Sequence, residues 1–431
     1  MKQFGALALG ACLLLPAAAS PADRASFDDL VANLKSPNAA TRQEAVSALG
    51  DSRRREAVAP LATLVRDPEP KVRVELVKAL RQLRDLDGVP ALVTLLGDGD
   101  PKIREESIGT LVEILSDAQR SGPVGRFLEI FADEHDRGSA GPTVKVDEAV
   151  YHGLAGALRD EQADIREEAA LALGILDGKS AVKDLVASLQ DPSPGVRGKA
   201  ATAIGQIGTA DDGRSLVPLL ADESADVRNR ALEALGTLRV KEAGPALREM
   251  YEQNPRKDAG LRALDCLSRI GDPAQADLFR ELLQDPDPER RRLAVEGLGR
   301  VVDESMLTAL KKDYQRERND ELKLAYSFAL TRLGDRAFLD SLVLCLPSKT
   351  LGRRCRDYLL ELGPDLLPDM YPYLNDPDSE VRAQLCDIFG WMGDPGAIDH
   401  LTPLISDPSA KVADRANRAV ERLRARGASG Q

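Results

Sequence analysis

The chain has 431 residues, a formal net charge of −12, 43% hydrophobic residues and only 4% aromatic ones. That length exceeds one ordinary core, so the chain must form several domains or one array that grows along an axis. The scarcity of large aromatic side chains favours thin helices packed by Ala, Leu, Val and Ile, and the acidic balance argues against a nucleic-acid partner.

The first residues, MKQFGALALGACLLLPAAAS, give one Lys, an apolar run and a small-residue stretch. This is the layout of a secretory signal peptide, so residues 1–22 are expected to leave and the protein to be exported, to the periplasm or outside the cell. The run is broken by Pro16 and is short for a membrane span, and no later segment is long and apolar enough for one. Leu9-Gly10-Ala11-Cys12 is similar to a bacterial lipobox, so a lipid anchor at Cys12 stands as the alternative to cleavage after Ala19 or Ala22.

Beyond this leader, one stretch returns along the chain. With the Arg of a recurring Val-Arg pair as a ruler, equivalent positions fall at Arg42, Arg73, Arg104, Arg166, Arg197, Arg228, Gly260, Arg291, Lys323, Gly352, Arg382 and Ala413. The spacing is close to 31 residues, except for one double step from Arg104 to Arg166. A fixed period of this length marks a solenoid.

Each copy reads as two antiparallel helices. In DPSPGVRGKAATAIGQIG, Asp191 to Gly208, Ser193 is placed to cap helix A, as is Asp287 in a sibling copy. Pro194 and Pro288 then take the first helical position, where a missing N–H costs little. Val196, Ala200, Ala203, Ile204 and Ile207 follow at helical spacing. Gly208, Gly271, Gly334, Gly363 and Gly393 are expected to end their helices in the left-handed conformation. Helix B follows a short turn, as in RSLVPLLAD with Leu216, Leu219 and Leu220 inward.

These copies resemble HEAT-type repeats, nearest to the short variety of about 30 residues found in phycobilisome-lyase-like proteins. The resemblance implies an all-α, right-handed α-solenoid, a superhelix of about twelve short HEAT-like helix pairs with one degenerate repeat replaced by a loop. It also implies a hydrogen-bonded ladder between turn aspartates (Asp67, Asp191, Asp222, Asp376) and helix A arginines (Arg73, Arg197, Arg228, Arg382), with a structural role. The expected organisation is a signal peptide at 1–22, an N-terminal cap and three repeats at 23–132, the degenerate repeat with its polar loop at 133–159, further repeats and a C-terminal cap at 160–425, and a tail at 426–431.

Departures from the pattern are where specific function is expected. The largest is the polar stretch DEHDRGSAGPTVKVDE between Phe131 and Val150. Glu134, His135 and Asp136, with His152 on the following helix, are loop candidates for a partner, a hinge or a metal, although neighbouring residues in one loop seldom converge on an ion. On helix B, which the resemblance places on the concave side, early repeats carry Ala62, Thr63, Val93, Thr94, Val186 and Val217, whereas later ones carry Arg248, Arg280, Lys312 and then Tyr371. Three cations one repeat apart suit an extended acidic peptide, unless the adjoining Glu249, Glu281 and Asp313 neutralise them.

Trp391, the only tryptophan, occupies a helix A position held elsewhere by Gln82, Gln206, Thr237, Arg269 and Arg300, which places it near the surface as an interface anchor or a local packing group. Cys266, Cys355 and Cys386 take positions held by Ala in sibling copies, and Cys345 stands close enough in sequence to pair with Cys355 in an oxidising compartment.

Paired His-Glu motifs of the kind that hold iron in HEAT-type hydroxylases are missing around His135, His152 and His400. The reading that follows is a non-catalytic scaffold of the cell envelope that takes no cofactor and binds an unknown protein or peptide through the concave helix B surface and the irregular loop. The alternatives are a metal-dependent or lyase-type enzyme centred on residues 133–152, and a nucleic-acid-binding HEAT-like protein, which the acidic charge disfavours.

Overall fold

The computed structural model describes residues 26–121 and 146–429, and among them every regular element is a helix. The chain divides into two compact units, Met1–Gly88 and Val89–Gln431. Each unit repeats one plan. In most repeats a helix A of 13 to 14 residues, such as Asp258–Ile270 or Pro288–Val301, is followed by a three-residue 3-10 turn and a shorter helix B, such as Pro273–Gln275 leading into Ala276–Leu282.

Small residues set the spacing between consecutive A helices. A Cβ placed on Gly205 would stand 2.9 Å from the Cα of Ala234, and one on Gly299 would stand 2.7 Å from the Cα of Ala329. Only glycine against alanine permits so close an approach, which is why the core is built from Ala, Val and Leu with Phe279, Phe328 and Phe389 as its largest fully buried side chains.

Helix starts and stops follow the sequence in part. Asp287 caps its helix by accepting from the Glu289 N–H at 2.9 Å. Ser193 holds the N-cap position, but its hydroxyl donates to Glu167 at 3.1 Å, and it is the Asp191 carboxylate that accepts from the Ser193 N–H at 2.8 Å. Gly271, Gly334, Gly363 and Gly393 have positive φ, whereas Gly208 is extended at φ −79° because Thr209 opens a new capped turn immediately after it. Arg84, Arg239 and Val302 end helices at φ of 50°, 52° and 58° without a glycine.

The ladder is present, with a register finer than one pair per repeat. Each ruler arginine clamps its own turn by donating Nη1 to a carbonyl six residues earlier, as Arg197 does to Asp191 at 2.9 Å. The other edge of the guanidinium reaches the aspartate of the next repeat: Arg42 to Asp67 in the first unit, and Arg104 to Asp160, Arg166 to Asp191, Arg197 to Asp222 and Arg382 to Asp407 in the second, each as a bidentate pair. Where the ruler residue is glycine, the helix backbone closes directly on the same carbonyl. A Cβ on Gly260 would stand 2.0 Å from the Asn254 oxygen, and one on Gly352 would stand 2.3 Å from the Leu346 oxygen.

Candidate partner-binding surface

Helix B carries its own polar pairs. Arg248 donates to Glu252 at 2.8 Å and to both oxygens of Asp277 at 3.0 Å. Arg280 reaches Asp303 at 3.0 Å, and Lys311 reaches Asp335 at 2.5 Å. Glu252 lies on the same helix as Arg248, but Asp277, Asp303 and Asp335 each belong to the next repeat, so these cations form a second, more exposed ladder. Hydrogen bonds to Asp277 and then Glu252 hold the Arg248 guanidinium above its ordinary pKa. The row is therefore compensated by Asp277, Asp303 and Asp335 rather than by the sequence neighbours Glu249, Glu281 and Asp313. Lys311, not Lys312, fills the register position, and Lys312 is left exposed.

Further along, Tyr371 stacks on His400 with centroids 3.5 Å apart and meets Phe389 edge-on at 5.8 Å. Tyr373 donates its hydroxyl to Asp340 on the preceding helix B. One turn beyond Asp340, Leu344 is 55% exposed, the highest value among the large hydrophobic residues described. This stretch of helix B therefore offers an aliphatic group, an aromatic–imidazole stack and the Lys312 cation that the ladders do not consume.

Trp391 is half-buried, with Arg356 and Arg422 guanidinium carbons 5.5 and 5.8 Å from its ring. Its indole N–H is buried without a hydrogen-bond partner. Local packing thus accounts for most of its surface. His152 is exposed, its Nδ1 2.9 Å from the Glu148 carbonyl in its own helix. Glu134, His135, Asp136 and Cys12 lie outside the described residues. Among the described residues no three His, Cys, Asp or Glu side chains group as metal ligands.

One constellation escaped the sequence. Glu361, in the helix Gly352–Leu362, accepts from Arg300 Nε and Nη2 at 2.9 and 3.0 Å and from Arg239 at 2.9 Å. Arg300 also reaches Ser268 at 2.9 Å and Glu296 at 3.3 Å, and Tyr358 donates to Glu296 at 2.5 Å. Burial would push the Glu361 carboxyl up, yet the Arg300 hydrogen bonds outweigh it and hold it below its usual range, whereas burial and then Glu296 drive the Tyr358 phenol upward. The signal was present as arginines near the ends of A helices, Arg239, Arg300 and Arg332, but their shared acid lies 61 residues beyond Arg300 and the intervening helix Asp258–Ile270 contributes Arg269 elsewhere. A polar cleft of about 490 Å³ lies nearby between the helices Ala225–Leu238 and Asp258–Ile270, lined by Arg230, Arg269 and Asp265, whose carboxyl is raised by burial.

Sequence comparison identifies what this repeated clamp belongs to. A family model described as HEAT repeats matches residues 27–112, 62–136, 152–236, 214–299, 244–331 and 310–421. The chain belongs to the HEAT-repeat family. Comparison with characterised proteins by sequence finds no match. Among solved structures, this HEAT-repeat chain is similar to an engineered protein at 20% identity and TM-score 0.38, covering 92% of this chain and 98% of that one. It is similar to YibA of E. coli at 16% identity and TM-score 0.41, covering 65% and 93%. Importin beta matches at 14% identity and TM-score 0.41, covering 91% of this chain and 66% of its own. An all-α repeat array is the fold, and no described helix is long and apolar enough to cross a membrane.

Proposed function

We propose that this HEAT-repeat protein is a non-catalytic scaffold of the cell envelope that binds another protein or an extended peptide along its helix B surface, with the 133–147 segment as a second contact. The observation that carries the reading is the set of helix B side chains left over once both ladders are formed: exposed Leu344, exposed Lys312 and the Tyr371–His400 stack. Interface hot spots are enriched in aromatic residues such as tyrosine, and an exposed aliphatic group adds apolar surface for a partner to cover. The N-terminal layout of residues 1–22 supports export, and the disulfide between Cys345 and Cys355 suits an oxidising compartment.

The test compares capture from an envelope extract by wild type and by a variant carrying Leu344→Ser, Lys312→Glu and Tyr371→Ser, none of which touches a ladder arginine. A protein held by wild type and lost by the folded variant supports the reading. A protein held equally by both moves the site to the 133–147 segment. Stoichiometric metal that disappears with His135→Ala and His152→Ala would instead favour the enzyme alternative.

A further inference from the structure

Two A helices of the second unit, Ala225–Leu238 and Asp258–Ile270, carry matching polar stripes along the cleft between them. An acid followed four residues later by an arginine is the favourable order for an ion pair on one helix. Both helices open with such a pair, Asp226 with Arg230 and Asp258 with Arg262, each closed at 2.7 Å. Asp265 and Arg269 repeat the order and spacing further along, yet their pair stays open. Arg269 crosses to the neighbouring helix instead and donates Nη2 to the Thr237 hydroxyl at 2.9 Å. A Cβ on Gly236 would stand 3.2 Å from its guanidinium carbon, so glycine there gives the arginine room to lie across.

Asp265 lines the cleft without a hydrogen bond or ion pair among the described residues. A half-buried carboxylate left in that condition is costly to keep. Burial raises its carboxyl, and the charge of Arg269 opposes the rise from a distance. The cleft encloses about 490 Å³, and its lining balances Arg230, Arg262 and Arg269 against Asp226, Glu233 and Asp265. Because Arg230 and Arg262 are held by their own acids, the half-buried charges still to be matched are the Asp265 carboxylate and the remaining N–H donors of Arg269. A cation alone would satisfy the acid and then face the guanidinium. An anion alone would do the reverse. A molecule that carries an ammonium and a carboxylate on one carbon satisfies both and leaves the cleft neutral.

We infer that this cleft binds a free α-amino acid, its ammonium held by Asp265 and its carboxylate by Arg269. Glu233 occupies the position equivalent to Asp265 one repeat earlier and lines the same cleft, so it adds a second carboxylate for the ammonium. Of the lining residues only Leu232 and Cys266 are apolar, which favours a ligand with a small or polar side chain. The ligand closes an ion pair that the helix itself leaves open. The site lies between A helices and is independent of the proposed helix B surface.

Calorimetric titration of the full chain with glycine, L-serine, L-asparagine and L-glutamine tests it. At least one is expected to bind at one-to-one stoichiometry. Its N-acetyl derivative, which has no ammonium, and its C-terminal amide, which has no carboxylate, should each bind roughly tenfold or more weakly. Absence of binding by all four overturns the proposal, and a blocked form that binds as well as its parent shows that the site does not select a zwitterion. Asp265→Asn and Arg269→Gln should each weaken the binder by a similar factor. Since Asp265 has no hydrogen bond to lose, Asp265→Asn should unfold no earlier than wild type in a thermal scan. A lower midpoint with binding intact would make Asp265 a structural residue and overturn its assignment.

Discussion

Arg104 holds Asp160 through two hydrogen bonds, of 2.6 and 2.8 Å, although 56 residues separate them in sequence. In the other rungs the same two bonds span 25 residues, as between Arg166 and Asp191 or Arg197 and Asp222. The rung closes across the longer sequence separation, and the helix Pro101–Ser121 packs on Ala163–Ile175 as the next A helix of the stack.

Removing a rung should open the array locally. Arg197 and Asp222 have side chains 10% and 6% exposed, so Asp222→Asn strips a desolvated guanidinium of its counter-charge. The expected loss is about 3 kcal/mol, read as faster hydrogen exchange in Pro194–Ile207 and Ala225–Leu238 while distant repeats stay protected.

The rungs also set the acid limit. The Arg197 and Arg382 hydrogen bonds hold the Asp222 and Asp407 carboxyls below the usual carboxylate range. Burial opposes the shift at Asp67, Asp160 and Asp191, but Arg42, Arg104 and Arg166 still bring them down. A carboxyl depressed in the folded state contributes stability that is complete above its unfolded pKa of about 4 and disappears as pH falls through the lower folded value. Circular dichroism should therefore show flat helix content from neutral pH to about pH 4 and a steep loss below it. Asp222→Asn should make that loss shallower.

The glycines at ruler positions are fixed by contact. Gly352→Ala would place a methyl 2.3 Å from the Leu346 carbonyl oxygen. The turn must move, and a cost of about 2 kcal/mol or more is expected in chemical denaturation. Gly156→Ala, inside the helix Glu148–Ala157 with nothing within 4 Å of the added carbon, serves as the control and should raise stability by up to about 1 kcal/mol.

Much of this scaffold can be read from one repeat. The period, the helix pairs and the Gly–Ala contacts follow from DPSPGVRGKAATAIGQIG because the same small set of local contacts is used in every copy. The ladder's true register was harder, since an arginine that clamps its own turn with one edge and the next aspartate with the other looks in sequence like a single pair with its own turn. Least legible was the Glu361 network, whose members come from several repeats and share no local signature, and whether the row at Arg248 and Arg280 was free depended on Asp277 and Asp303 one repeat away. Trp391 was read by position alone, and position does not reveal that Arg356 and Arg422 pack over its ring.

Glu361 should be far more sensitive than its surface partners. Glu361→Ala leaves Arg239 and Arg300 facing a gap and removes the charge that offsets burial at Arg332, whose guanidinium burial already holds below its ordinary pKa. The expected destabilisation is about 3 to 5 kcal/mol, against less than about 1 for Asp277→Ala on the exposed helix B ladder.

Val302 ends its helix at φ 58° while 45% exposed, a conformation that β-branched side chains resist. Val302→Gly should stabilise the protein by about 1 kcal/mol, seen as a higher thermal midpoint.

The most direct test of the binding account is site-specific photocrosslinking in intact cells. A photoreactive residue would stand in turn at Lys312, Leu344 and Tyr371 on helix B and at Glu233 and Lys199 on helix A. The account predicts one shared adduct from the helix B positions and none from the helix A positions. An adduct formed from Glu233 or Lys199 while Lys312, Leu344 and Tyr371 stay unlinked would contradict it.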